Sequence, residues 1–317
     1  MLFQNLIDYC RQKKISFSLL TSNAFNLSFF SIPDFIRVIL VGFYKAIGAQ
    51  TLMVNVSYKG IYTIALYFII LAKLFRKKAI VRAFGGNLGK VLNESKGLKK
   101  QLMLWTVKNA DILFAETKAS VLLLKNYNPD VRWLPNAREP NEVVMNSSAF
   151  SKKFIFVGQV KASKGIDLIL QAKEQLSSDY TIDIYGPIFE EKYNFLQNEP
   201  FYKGSLKKEE VLPALQQYDV LLLPTYYQGE GYPGVIIEAY SLGIPCISTK
   251  WLAIPEIIDD KHTGFLIAPK SADALQSAIM AFNTQNYSTM SIAAKEKFKD
   301  FNSDIVNANL IQLLGQI

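Results

Sequence analysis

Histidine and cysteine are nearly absent from this chain. Its 317 residues include one histidine, His262, and two cysteines, Cys10 and Cys246. A single histidine argues against a His-rich metal site and against a Ser–His–Asp triad. Two cysteines far apart, with no secretory signal before them, give no disulfide framework and lead us to expect a reducing, cytoplasmic setting. No Asp-x-Asp pair occurs, which removes the commonest carboxylate pair for holding a metal against a diphosphate. Uninterrupted apolar runs of bilayer length are missing too: the run starting at Gly60 ends at Lys73, short of the roughly 20 residues a spanning helix needs.

Positive charge and apolar residues are what the chain has. The net charge is +8, so the partners to expect are nucleic acid, an anionic membrane surface or an anionic substrate. The basic residues are dispersed, with small clusters at 76–78 and 96–100, and no nucleic-acid module accompanies them. An anionic membrane surface and a phosphorylated substrate are therefore favoured. Half of the residues are hydrophobic, enough at this length for two domains with cores of their own.

The most informative stretch runs from Asp219 to Thr249. Val220 to Leu223 is an apolar run without alternation, as expected of a strand buried on both faces in a parallel sheet. Pro224 ends it, a Gly-rich loop follows, and Gly234 to Leu242 reads as a helix closed by Gly243 and Pro245. Cys246 to Ser248 is the next strand. The loop thus lies at the carboxyl end of a strand, where open α/β sheets bind ligands. Gly229, Gly231 and Gly234 permit close backbone approach, and the helix start attracts an anion. Glu238, about one turn into the helix, can accept hydrogen bonds from two neighbouring hydroxyls. Glu230 stands in the loop, with seven residues between the two. Taken alone, these residues fit equally well a loop-to-helix junction flanked by two solvated glutamates.

The rest of the chain alternates strand and helix, which implies an α/β fold with parallel sheets. We expect an amphipathic helix over 1–14, strands at Ile15–Leu20, Thr51–Val56, Ala79–Val81, Ile112–Ala115 and Arg132–Leu134, and an apolar, largely helical stretch from Phe25 to Ala49. The strand from Ala79 leads to the pair Gly85–Gly86. A polar segment, 138–153, reads as a linker. The pattern then restarts with strands at Phe154–Val157 and Tyr180–Tyr185, which lead to Gly158 and to Gly186–Pro187. Lys161 and Lys164 follow the first of these strands, within reach of an anion held by the same sheet, or are ordinary loop lysines.

In order, Phe154-Ile-Phe-Val-Gly158, Lys164-Gly165, Lys203-Gly204-Ser205, Pro224, Glu230-Gly231-Tyr232-Pro233-Gly234, Glu238-Ala239, Gly243-Ile-Pro245, Pro255-Glu256 and Gly264-Phe-Leu resemble the retaining glycosyltransferases of family four. The resemblance is strong over 154–280 and weaker before it. It implies the GT-B fold: two Rossmann-like doubly wound domains facing across a cleft, here 1–145 on the acceptor side and 150–300 binding the nucleotide sugar, with a helix at 301–317 packing back toward the first. It implies a nucleotide-diphosphate sugar of the UDP or GDP type as co-substrate, no cofactor or metal, and a glycan or lipid-linked acceptor at the inner face of the cell membrane.

By position, Glu238 would hold ribose hydroxyls and Glu230 those of the transferred sugar. Lys164 and the amides around Gly231, Tyr232, Pro233, Gly234 and Val235 would hold the diphosphate. Gly158, Lys161 and Gly186 belong to the same donor side. Lys203, Gly204 and Ser205 would flank the base, and Gly85 and Gly86 would line the acceptor side. No side chain presents itself as a nucleophile, which favours front-face attack. Three departures stand out. The family's usual arginine after the strand-end glycine is Gln159, so that Lys161 would supply the second charge. Leu252-Ala253 replaces a common Gly pair, and no histidine ends the strand at Arg82–Gly86. Family members also begin with a strand and a Gly-rich loop. Either Met1 is internal to a longer chain, or another strand fills that place in the sheet. The alternative from another class is a non-catalytic subunit of the same shape.

Overall fold

The computed structural model describes residues 2–21, 32–86, 88–141 and 150–315. The chain divides into two compact units, one of residues 3–134 with the end of the chain from Leu310, the other of Pro135–Asn309.

The first unit opens with α1 (Leu2–Gln12), whose residues Leu6, Ile7 and Cys10 are buried on one face. Then come α2 (Ile32–Gly48), β1 (Thr51–Ser57), and a continuous helical run of α3 (Tyr58–Gly60), a π turn (Ile61–Ala65) and α4 (Leu66–Leu74). β2 (Lys78–Phe84), α5 (Leu88–Glu94), α6 (Gly97–Asn109), β3 (Ile112–Ala115), α7 (Lys118–Leu124) and β4 (Val131–Trp133) complete it. The sheet is parallel, in the order β1-β2-β3-β4. Ile61, Ile69, Leu92, Met103 and Val107 pack against Val54, Val81 and Leu113 to form the core. β3 is buried throughout, whereas β1 alternates, as an edge strand does.

The strand expected over Ile15–Leu20 does not form. Its alternation of Ile15, Phe17 and Leu19 with serines has the right period, but no described strand pairs with it. Side chains of α2 bond to its end instead: Lys45 Nζ donates to Leu19 O, and Arg37 Nη2 to the O of Thr21 just beyond it, each at 2.6 Å. Among the described residues, then, nothing pairs with the outer edge of β1. The expected helix from Phe25 is seen from Ile32 onward, and 25–31 lie outside the described residues, as does half of the linker (142–149). No helix among the described residues is long and apolar enough to cross a membrane.

The second unit is a five-stranded parallel sheet in the order β6-β5-β7-β8-β9. Its elements are β5 (Lys153–Val157), α8 (Ile166–Glu174), β6 (Thr181–Tyr185), α9 (Lys208–Leu215), β7 (Val220–Leu223), α10 (Gly234–Ser241), β8 (Cys246–Thr249), β9 (Gly264–Ile267), α11 (Ala272–Met280) and α12 (Thr284–Lys297). α13 (Ser303–Gly315) follows. The central β7 and β8 are buried throughout: β7 as its unbroken apolar run requires, β8 with the hydroxyls of Ser248 and Thr249 donating to the Leu223 and Thr225 carbonyls. The strand order reverses between β5 and β7, so the loops after these two strands flank the position at which open α/β sheets receive ligands.

Candidate functional site in the second unit

Three strand-end loops meet at this switch point. After β5, Lys161 leads into a single 3-10 turn, Ala162–Lys164. The loop after β7 is fastened to it: Tyr226 N donates to Ser163 O at 2.8 Å, and Thr225 Oγ1 lies 3.3 Å from the same carbonyl. The loop after β8 joins through Trp251 Nε1, which donates to Tyr227 O at 2.8 Å.

This stitching brings Lys164 and Glu230 together. Lys164 Nζ donates to Glu230 Oε2 at 2.6 Å, and Thr225 Oγ1 donates to the same oxygen at 2.8 Å. Their side chains are only 15% and 9% exposed, so the pair is largely withdrawn from water. Lys161 and Lys164 both approach the ring of Tyr227, their Nζ atoms 4.1 and 5.2 Å from its centroid. Two positive charges thus share one aromatic ring beside a buried carboxylate. That is an arrangement able to steady developing negative charge on a leaving group.

The expected donor-side glycines are brought together as backbone. Gly186 has φ +141°, and a β-carbon there would overlap the carbonyl of Gly158. Gly158 N donates to Tyr185 O at 3.0 Å, and Gly186 N to Gly204 O at 2.8 Å. Gly158, Gly186 and Lys203–Ser205 are thereby stacked at the ends of β5 and β6. Lys203 is turned along the protein, donating to Pro200 O at 2.7 Å and lying 3.7 Å from Asp183, while Ser205 is exposed. Asp183 also accepts from the Tyr218 hydroxyl at 2.7 Å. Burial, then that bond to Asp183, pushes the Tyr218 hydroxyl well above the usual tyrosine range.

At α10 the sequence reading needs an addition. Tyr232 is buried, and its hydroxyl donates to Glu256 at 2.5 Å, so its side chain is already engaged. Glu238, one turn in, is paired with Arg138, whose Nε donates to Oε1 at 2.7 Å. The space beside Gly234 is filled by the same side chain: a β-carbon there would overlap Arg138 Nη2. Neither Arg138 nor Thr225 was singled out from sequence. Thr225 directly follows the strand-ending Pro224, a position that could have marked it. Arg138 sits in a polar stretch 100 residues from its partner and carries no local signal.

Gly85 and Gly86 lie in the first unit at the end of β2. Gly85 N donates to Glu116 Oε2 at 3.0 Å, and Gly86 O accepts from Ser120 Oγ at 2.8 Å. Beside them Arg82 is buried; burial pushes its pKa down to about 10, against the opposing pull of Glu116. His262 is exposed in the turn just before β9.

Comparison with known proteins agrees with this picture. Residues 151–284 match the family model for glycosyl transferases group 1. The putative colanic acid biosynthesis glycosyltransferase WcaL of Escherichia coli K12 is 30% identical over 181 residues, covering 51% of this chain and 44% of that protein. The putative teichuronic acid biosynthesis glycosyltransferase TuaC of Bacillus subtilis is 32% identical over 128 residues, 40% of this chain and 32% of that one. The chain thus spans under half the length of these curated relatives. Among solved structures, Anabaena HepE with UDP and glucose superposes with a TM-score of 0.72 over 98% of this chain and 89% of its own, at 15% identity. The lipopolysaccharide galactosyltransferase WaaB superposes with a TM-score of 0.63 over 91% and 82%, also at 15% identity. The fold is therefore GT-B, two parallel-sheet Rossmann-like domains, and the second of them carries the region that matches the glycosyl transferases group 1 model.

Proposed function

We propose that the protein is a glycosyltransferase of surface polysaccharide or glycolipid biosynthesis. It moves a sugar from a UDP- or GDP-type donor to a glycan or lipid-linked acceptor, with retention of anomeric configuration and without a metal or cofactor. The observation that carries this reading is the buried Lys164–Glu230–Thr225 cluster at the β5/β7 switch point, one loop before the start of α10. The relatives named for colanic acid and teichuronic acid biosynthesis and the structure holding UDP and glucose support the same class of reaction.

In this mechanism the bond from the anomeric carbon to the diphosphate oxygen breaks first, leaving an oxocarbenium-like centre. Lys164 and the amides at the head of α10 stabilise the charge that accumulates on the departing diphosphate. Glu230, held by Lys164 and Thr225, accepts hydrogen bonds from the transferred sugar. Glu238 does so from the ribose. The acceptor hydroxyl attacks the face from which the diphosphate leaves, giving its proton to that diphosphate. Gly85 and Gly86 serve the acceptor.

We place the enzyme at the inner face of the cell membrane. On α2, Ile36, Leu40, Phe43, Tyr44 and Ile47 form one exposed apolar stripe. Phe43 packs edge-on against Phe75, which sets the stripe beside exposed Leu74 and the basic residues Lys73, Arg76 and Lys78. Such a surface suits an interface of acyl chains and anionic headgroups.

Calorimetry with UDP, GDP and ADP, followed by donor turnover with a polysaccharide-repeat acceptor, tests the reading. Glu238→Ala should weaken nucleotide binding by about 1–3 kcal/mol through lost charged hydrogen bonds. Glu230→Ala should lower turnover more than it weakens the free nucleotide. Equal losses of nucleotide affinity in both variants would refute this division of roles. Nucleotide binding without turnover would favour the non-catalytic subunit.

A further inference from the structure

The glycosyltransferase reading assigns Glu238 to the ribose but leaves its partner without a role. Arg138 is held from both ends. Its main chain is clamped by Arg138 N donating to Phe301 O at 2.9 Å and Ser303 N donating to Arg138 O at 2.8 Å. Its guanidinium donates through Nε to Glu238 Oε1 at 2.7 Å, and through Nη1 to Asn136 Oδ1 at 2.6 Å and to Ala137 O at 3.1 Å. Asn136 in turn donates to Tyr232 O at 3.3 Å, the carbonyl just ahead of α10. Nη2 makes no hydrogen bond to the described residues and lies over Gly234, one helical turn from Glu238 on the same face. Arginine and glutamate side chains are 23% and 22% exposed.

Resting on the donor-binding reading, we infer that Arg138 is a positioning residue for ribose recognition: it fixes the Glu238 carboxylate in one rotamer and presents its second oxygen to a vicinal diol. A glutamate on an open helix face samples several rotamers, and binding must freeze one of them. Here Oε1 is already engaged, while Oε2 has no partner among the described residues. A diol meeting this pair finds an acceptor, Oε2, next to a donor, Nη2, which matches two adjacent hydroxyls of which one donates and one accepts. Gly234 belongs to the same device. A side chain there would displace the guanidinium from the carboxylate it orients.

The experiment compares the full chain with Arg138→Ala, Arg138→Lys and Gly234→Ala. Binding is measured for whichever of UDP, GDP or ADP the wild-type chain binds most tightly, and for the 2′,3′-dideoxy form of the same nucleotide. Arg138→Ala should lose tenfold or more in affinity for the ribonucleotide and little for the dideoxynucleotide. Arg138→Lys should recover only part, because an ammonium cannot reproduce the planar fork. Gly234→Ala should reproduce the selective loss, and combining it with Arg138→Ala should add nothing. Should Arg138→Ala fail to fold, the Lys and Gly234→Ala variants carry the same comparison. Equal losses for both forms of the nucleotide would reduce Arg138 to a structural brace and overturn the inference, as would unchanged ribonucleotide affinity. A wild-type chain that binds none of the three nucleotides would overturn the glycosyltransferase reading itself, before any substitution is made.

Discussion

Lys164 and Glu230 illustrate the energetics of a charged pair taken out of water. Desolvating two ions costs several kcal/mol each, and their attraction returns this only when the geometry is good and the remaining valences are met. Thr225, donating to the oxygen that Lys164 holds, helps to meet them. Removing one member leaves the other stranded, so Lys164→Met should destabilise the second unit by about 3 kcal/mol. The double variant Lys164→Met/Glu230→Gln should recover most of that loss. Denaturant melts of the wild type, both single variants and the double variant check this, and additive losses would show that the two residues act independently. Both residues were readable from sequence because a strand end, a glycine and a spacing of seven residues fix them within short windows. Arg138 was not, since its meaning rests on a contact between segments that only the fold brings together.

At the level of elements, pairing outweighs periodicity. The segment Ile15–Leu20 has the alternation of a strand and remains irregular, with no described strand beside it; its Leu19 carbonyl and that of Thr21 just after it go to lysine and arginine side chains. The buried strand β7 of the second unit could be read directly, its run of four apolar residues pointing to a strand covered on both faces. Short helices such as α5 escaped, being too brief to show a 3.6-residue period. Where β5 and β6 end, Gly186 allows two backbones to touch. Gly186→Ala would introduce both a clash with the Gly158 carbonyl and a strained dihedral, and should cost about 3 kcal/mol in a denaturant melt. On α2, Leu40→Ser with Tyr44→Ser should reduce sedimentation with anionic vesicles, and wild-type binding should itself fall as salt rises. Salt-independent binding, or none at low salt, would refute the membrane placement.

At the level of the whole molecule, the two units differ in how completely their sheets are enclosed. The second has five strands with two buried throughout, while the first has four described strands with an alternating edge strand, β1. The fold class was legible because strand and helix alternate along both halves. The membership of the first sheet was not, because edge partners are chosen by tertiary contacts. The scarcity of cysteine has a practical consequence here. Cys10 is buried in the first unit and Cys246 in the second, and burial raises both thiols above their ordinary range. Neither thiol should react with iodoacetamide until its own unit opens, since the thiolate is the reactive form. Alkylation followed by peptide mass analysis across a denaturant series should modify Cys10 before Cys246, and coincident modification would show that the units open together. The chain thus carries a built-in clock in each half, and unfolding of either can be timed without adding a label.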